Sequence, residues 1–453
     1  MLATPVAKVA RPSFRKCRKL FRCDNLSHSH PFRNRLFLCA HSMRKSMFAL
    51  PGFAGLFLAL VSVAVVAAEP HSSGETHHHP AMHSAKSVKT ALAVGVTLDQ
   101  DGRLWLARVV DQHLLVSWSE DSGSSFSEPA VVTPEPENIS IDGENRPKIE
   151  VARDGSVLVT WTQVLPQKYS GNVRFSRSID SGRTFSKPIT LNDDGRVTSH
   201  RFDSLAIDGD GRVIVAWLDA RDRDAAREKG EEYRGVSLYT TQSFNNGESF
   251  GRNRRIQEHT CECCRTALIW SREGPIVLLR NIFGANTRDF ALINLDKGGI
   301  RRVNRDEWQV DACPHNGGSL ATDRRGQLHL VWFTNGPADQ GLFYKRIDGN
   351  WESKPKPIGN ADAQANHASV VADGETVILT WREFDGNAYS AKMMYSNDSG
   401  ESWSEPMRLM ESDGATDYPI PLIDNRKVLI VWNTAKEGLR ILPIERVTAR
   451  YSG

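Results

Sequence analysis

From residue 98 onward the chain repeats one pattern of polar and apolar positions. A polar turn ending in glycine is followed by a short, mostly apolar run that closes on tryptophan. Val151 to Trp161 is one copy and Ile207 to Trp217 another, and further copies end at Trp332, Trp381 and Trp432. The tryptophans are 56, 115, 49 and 51 residues apart, and the 115-residue interval holds one more unit, Ser271 to Arg280. Leu98 to Trp105 supplies a first unit, which makes seven. Runs this short, rich in β-branched residues and bounded by glycine, predict strands, not helices. A repeat of roughly 50 residues with room for four strands has the size of a propeller blade. The predicted fold is therefore all-β: a β-propeller with seven blade-like repeats over residues 87–447, followed by a tail, 448–453. The last repeat, Tyr418 to Ile444, is one strand short, and Lys86 to Ala93 is predicted to supply it and remove the exposed edges.

A second motif punctuates the same units. Ser119-Glu-Asp121-Ser-Gly123-Ser-Ser-Phe126 recurs at Ser178 to Phe185 with Asp180 and Gly182, and at Ser396 to Trp403 with Asp398 and Gly400. A weaker copy runs from Ser243 to Phe250. The aspartate can accept hydrogen bonds from backbone N–H groups of the turn, the glycine supplies a positive φ, and the aromatic ring pins the hairpin. These turns resemble the Asp boxes of the sialidase superfamily of β-propellers. Known propellers of that type have six blades, so a six-bladed ring is the alternative to seven. Their Asp boxes lie away from the active site, so they speak for fold and not for chemistry.

Setting the repeats in register and stepping back about 15 residues from each tryptophan gives the positions expected to face the axis. They are Arg146, Arg201 (or its neighbour His200), Arg265, His315 with Asn316, His367 and Tyr418. Arginine forks suit carboxylates. The sialidase resemblance implies that Arg146, Arg201 and Arg265 hold a substrate carboxylate, that Tyr418 attacks as nucleophile, and that an Asp such as Asp203, Asp219 or Asp222 serves as acid/base. His315 and His367 complete the substrate-binding set. The glutamate that should activate the tyrosine has no clear match among Glu232, Glu258 and Glu262. The same resemblance implies a carbohydrate or other acidic small ligand, and exo-sialidase activity if the chain is an enzyme. A non-catalytic envelope binding propeller is the alternative, and arginines tied to neighbouring carboxylates between blades are the structural one.

Composition changes this picture at the N-terminus. The chain has 57 Lys+Arg against 54 Asp+Glu, a net charge of +3. Eleven of the basic residues and only one acid fall before residue 69, so the remainder is acidic, with 46 bases and 53 acids. An acidic body is not expected to bind nucleic acid. Residues 1–68 read as a basic leader plus a secretory signal peptide over about 43–68, with Arg44 and Lys45 before an apolar run and Val66-Ala67-Ala68 as a cleavage site. A membrane anchor is the alternative. Residues 69–86 read as a His-rich disordered linker whose His77, His78, His79, Met82 and His83 suit copper or zinc. The expected location is periplasmic or secreted, with no stable membrane insertion once the signal is cleaved.

Export also frames the cysteines. Cys17, Cys23 and Cys39 fall in the leader. Cys261, Cys263, Cys264 and Cys313 remain, in the motifs Cys261-Glu-Cys263-Cys264 and Cys313-Pro-His315. Both precede the first strand of a repeat and are expected at the pocket rim. This pairing resembles that of exported bacterial sialidase-like proteins. Four cysteines in an exported chain predict disulfides, with Cys264–Cys313 the easiest to picture. The alternative is a copper or zinc site formed by Cys261, Cys263, Cys264 and Cys313 with His315; otherwise no cofactor is expected.

Overall fold

The computed structural model describes residues 92–424 and 427–444. The leader, the His-rich linker and the C-terminal tail lie outside them; of Lys86 to Ala93, expected to close the ring, only Leu92 and Ala93 are described, and neither is in a strand. Among the described residues there are 28 strands and a single helix, and every strand pairing is antiparallel. No helix among them is long and apolar enough to cross a membrane.

The strands form seven successive meanders, matching the seven sequence repeats in order. Their first strands are Gly95–Leu98, Lys148–Val151, His200–Ile207, Ala267–Ser271, Ser319–Thr322, Asn366–Asp373 and Ile420–Ile423. We number the units 1 to 7 accordingly. Units 3 and 4 merge into one sheet through a single pair, Thr260 opposite Asn281. Unit 7 has three strands among the described residues. Asn433 Nδ2 of that unit donates to the carbonyl of Leu92 at 2.8 Å, just before the chain enters unit 1. The first strand of each unit packs against the first strand of the next, and that of unit 7 packs against that of unit 1. The order of contacts is therefore cyclic.

The second strand of each unit explains the tryptophan pattern. Val157 to Trp161 and Val213 to Trp217 are fully buried because a unit is covered on both faces by its neighbours, so their strands read as continuous apolar runs. Trp161, Trp217, Trp332, Trp381 and Trp432 are all completely buried. Each indole N–H still finds an acceptor, for instance Glu137 for Trp161 at 2.9 Å and Asp306 for Trp332 at 3.0 Å. At 150–250 Å² per aromatic and about 25 cal/mol/Å², each such ring contributes roughly 4–6 kcal/mol of gross burial energy.

The Ser-x-Asp-x-Gly turns are built as the sequence predicts. Asp121 Oδ1 accepts from Ser125 N–H at 2.8 Å, and Gly123 N–H donates to Ser119 Oγ at 2.7 Å. The Ser125 hydroxyl and amide, then the Ser119 hydroxyl, hold the Asp121 carboxyl down at about 2. The glycines do more than turn the chain. A Cβ on Gly182, at φ +78°, would lie 2.5 Å from the Trp105 ring of the preceding unit. Gly247 meets Phe175 and Gly400 meets Tyr344 in the same way, while Gly123 of unit 1 meets Ile441 of unit 7. Each turn thus docks on the unit before it, and the first docks on the last.

The charged stretch after Asp219 folds into the helix Arg221–Glu228, which packs on unit 3 and buries Ala226.

Candidate functional site

The connection into unit 2 builds the centre. Asp142 Oδ1 accepts from the amides of Glu144 (3.1 Å) and Asn145 (2.9 Å), and this turn aims Glu144 and Arg146 inward. Arg146 is buried and forms a two-pronged pair with Asp417 at 2.8 and 2.7 Å. Burial opposes its charge, but Asp417 and Tyr418 outweigh burial and raise its pKa. Glu144, 3% exposed, accepts from Arg265 Nη1 at 2.6 Å, from Arg265 N–H at 2.8 Å and from Gly317 N–H at 2.8 Å. One carboxylate so ties unit 2 to the entries of units 4 and 5.

Tyr418 lies between these pairs. The Arg146 guanidinium stands 4.0 Å from its ring centroid and that of Arg265 4.7 Å. His367 stacks on the tyrosine with centroids 5.5 Å apart, and its Nε2 is 3.4 Å from Glu144. Burial raises the Tyr418 pKa, although both guanidiniums pull it down. Burial first, then Arg382, Arg265 and Arg146, hold the His367 pKa well below its usual value.

A cavity of about 750 Å³ opens over this cluster. Its wall includes Arg201, His367, Arg382, Asp142, Asp417 and Tyr418. The Arg201 guanidinium lies 3.4 Å from Ser140 Oγ, 3.6 Å from Asp142 and 5.0 Å from the centre of the Phe202 ring. Arg382 bonds the side chain of Asn366 and the carbonyl of Thr416, and pairs with no carboxylate among the described residues. Burial lowers its pKa, opposed by Tyr389 and Asp417. The cavity therefore presents two guanidiniums that are weakly neutralised by the protein itself, beside a phenol and an imidazole.

Of the residues read from the sequence, Arg146, Arg265, His367 and Tyr418 come together, and Arg201 joins them on the cavity wall. The others go elsewhere. Asp203 is fully buried and accepts from Thr160 Oγ1 at 2.6 Å, away from the cavity lining. Asp219 is fully buried in an ion-pair group with Arg221 (2.8 Å) and His200 (3.7 Å). Asp222 accepts from Ser237 and Tyr239. Glu258 pairs with Arg255, Glu262 with Arg288, and Glu232 is exposed. His315 is exposed and sits with Cys263 and Cys313 instead of in the cavity wall. Sequence reasoning missed Glu144, Asp417 and Arg382. Each is within two residues of a position it did mark: Arg146, Tyr418 and Trp381.

The cysteine prediction needs correcting. All four described cysteines are free thiols, so the Cys264–Cys313 disulfide is not formed. The turn of Cys261-Glu-Cys263-Cys264 directs Cys264 inward and Cys263 toward Cys313. Nor do the three line the cavity; they are packed with Phe202, Val236 and Leu268. Cys261 Sγ is 3.8 Å from both Cys263 Sγ and Cys264 Sγ, and accepts from Arg288 Nη1 at 3.2 Å. Hydrogen bonds from Cys263 and Cys264, then Arg280 and Arg288, hold the Cys261 thiol well below its usual range.

No family model matches the sequence, and no curated protein matches it. Solved structures similar to it include a family 25 polysaccharide lyase, an ulvan lyase bound to a glucuronate–rhamnose-3-sulfate chain, at TM-score 0.49 and 12% identity over 78% of this chain and 93% of that one. A Penicillium chrysogenum α-L-arabinanase complexed with arabinobiose follows at TM-score 0.45 and 13% identity, over 65% and 89%. A Fusarium graminearum α-L-arabinofuranosidase stands at TM-score 0.42, 13% identity, 65% and 88%. At these values the assignment rests on the geometry of the site.

Proposed function

We propose that this chain is an exported, seven-bladed β-propeller that takes the carboxylate of an acidic sugar into its central cavity and acts on that glycan. The observation that carries the reading is that Arg201 and Arg382 share the cavity wall with Tyr418 and His367, Arg201 paired only loosely with Asp142 at 3.6 Å and Arg382 bonded to Asn366 and the Thr416 carbonyl. An entering carboxylate completes their charge and gains two-pronged hydrogen bonds.

The chemistry that fits best is proton transfer beside the carboxylate, leading to β-elimination. Neutralising a sugar carboxylate acidifies its α-carbon proton; the entering carboxylate also offsets part of the guanidinium field that depresses His367, whose imidazole then accepts that proton while the Tyr418 phenol protonates the departing oxygen. Hydrolysis by paired carboxylates fits less well. Of the two acids on the wall, Asp417 is held by both prongs of Arg146. A sialidase-like reaction, with Tyr418 as nucleophile, draws support from the two arginines around that ring. It requires Glu144 to release Arg265 before it can activate the phenol.

Incubation with uronate polymers, sialosides and neutral arabinan tests this. An absorbing unsaturated uronate product, lost in Tyr418→Phe and His367→Gln, is the expected result. Free sialic acid would instead establish hydrolysis. No product from any acidic glycan and no binding of one, in a folded protein, would overturn the reading.

A further inference from the structure

The three clustered cysteines, set beside a buried arginine that has replaced the repeat's tryptophan, carry a separate inference. Six residues after the turn glycine, units 2, 3 and 5 place Trp161, Trp217 and Trp332. Unit 4 places Arg280 there, after Gly274. Arg280 is 1% exposed. Its Nη atoms reach only backbone carbonyls, those of Arg288 (3.1 Å), Asn316 (3.0 Å) and Phe333 (2.8 Å). Among the described residues no carboxylate pairs with it. The guanidinium also lies over the rings of Phe290 (4.3 Å) and Trp308 (4.9 Å), and a counter-ion nearby would lower the remaining cost of its burial. The backbone of Arg280 meets the cysteine turn, its carbonyl accepting Cys261 N–H at 2.9 Å. A second guanidinium, Arg288, donates directly to Cys261 Sγ at 3.2 Å.

The sulfur spacing matches metal coordination. A metal–thiolate bond of about 2.3 Å puts sulfurs roughly 3.8–4.0 Å apart in tetrahedral or trigonal geometry. The Cys261 sulfur stands 3.8 Å from each of the other two, and all three lie within 4.8 Å of one another. A second group, Cys263, Cys313 and His315, meets the same 4.8 Å limit, and there Cys313 and His315 are exposed. Cys263 belongs to both groups.

We propose that Cys261, Cys263 and Cys264 bind one cuprous ion in a buried three-thiolate site, reached from solvent through Cys313 and His315 by exchange at Cys263. Soft thiolates select soft d¹⁰ ions. Zinc prefers four ligands, whereas the buried group offers three, which favours copper(I). Binding releases the thiol protons to solvent and transfers no electrons. Three thiolates and a monovalent ion carry two negative charges, facing Arg280 and Arg288; Glu262, which also bonds Arg288, opens partly to solvent.

The test is anaerobic titration of the reduced, full-length exported chain with copper(I) against a chromophoric chelator, followed by X-ray absorption at the copper edge. The expected result is one copper per chain with three sulfur neighbours. Cys261→Ser should weaken binding by roughly 100-fold or more, and Arg280→Met by about 10- to 100-fold. Cys313→Ser should leave the stoichiometry at one and slow loading. Circular dichroism separates lost folding from lost binding, and the exposed Cys313 variant keeps the test open if a buried variant does not fold. No copper held against the chelator, tighter binding of zinc dependent on Cys313 and His315, or four cysteines oxidised in the exported form would each overturn the proposal.

Discussion

Glu144 fastens the centre of the molecule, and replacing it by glutamine gives a sharp prediction. The carboxylate accepts three N–H bonds, two from Arg265 and one from Gly317, all at 2.8 Å or less. Glutamine has one acceptor oxygen. If that oxygen serves the two backbone amides, its NH₂ opposes the Arg265 guanidinium, which is left buried and unneutralised. Breaking a buried ion pair from one side costs about 3–5 kcal/mol. With an unfolding entropy of about 2.1 cal/mol/K per residue over roughly 350 described residues, that loss lowers the Tm by about 4–7 °C. Differential scanning fluorimetry of Glu144→Gln reads it directly. Glu120→Gln, which removes an exposed partner of Arg103, is the control and should shift the Tm by less than about 1 °C. A Glu144→Gln protein that melts with the parent would refute the view that this carboxylate ties three units together.

Other consequences are open to measurement. Gly182→Ala combines a positive φ with contact against Trp105, and should cost about 1–3 kcal/mol, seen as a lower urea midpoint. Asp121 and Asp180 are both held down at about 2, so their stabilising share is present above pH 4 and lost as pH falls through about 2. Acid unfolding should therefore be flattened in Asp121→Asn and Asp180→Asn, a change the weaker turn already carries as Asn245, whose Oδ1 accepts from Ser249 N–H at 3.1 Å. Burial pushes Glu150, half-buried on the first strand of unit 2, up to about 7. The folded state then holds a proton that the unfolded state has lost, and stability falls as pH rises from about 4.5 to 7. Glu150→Gln should remove that fall, so the gap in Tm between variant and parent should widen from about pH 5 to pH 8.

The repeat register carried much of this structure. Arg146, Arg265, His367 and Tyr418 lie 15, 15, 14 and 14 residues before the matching repeat positions Trp161, Arg280, Trp381 and Trp432, so the sequence alone puts them at one level. What repeats cannot carry is partnership. Glu144 meets Arg265 because the Asp142 turn folds back on itself, and Asp417 meets Arg146 because unit 7 returns to units 1 and 2; both joins cross more than 100 residues. Asp203 and Asp219 looked available for catalysis because charge is visible in a sequence while the hydroxyl and guanidinium that consume it are not. The cysteines failed for a similar reason. Spacing alone does not say which sulfur of a tight turn points inward, and Cys263, not Cys264, faces Cys313. The helix Arg221–Glu228 offered only one residue to bury, too little for an apolar period to be visible.

The central claim is that the cavity recognises a carboxylate, and isothermal titration of one acidic oligosaccharide against its carboxyl-reduced counterpart tests it most directly. Charge-assisted hydrogen bonds contribute about 1.5–3 kcal/mol, so the acid should bind at least tenfold more tightly than the reduced sugar, and Arg382→Gln should erase most of the difference. Equal affinities for the two sugars, unchanged by that substitution, would contradict the account.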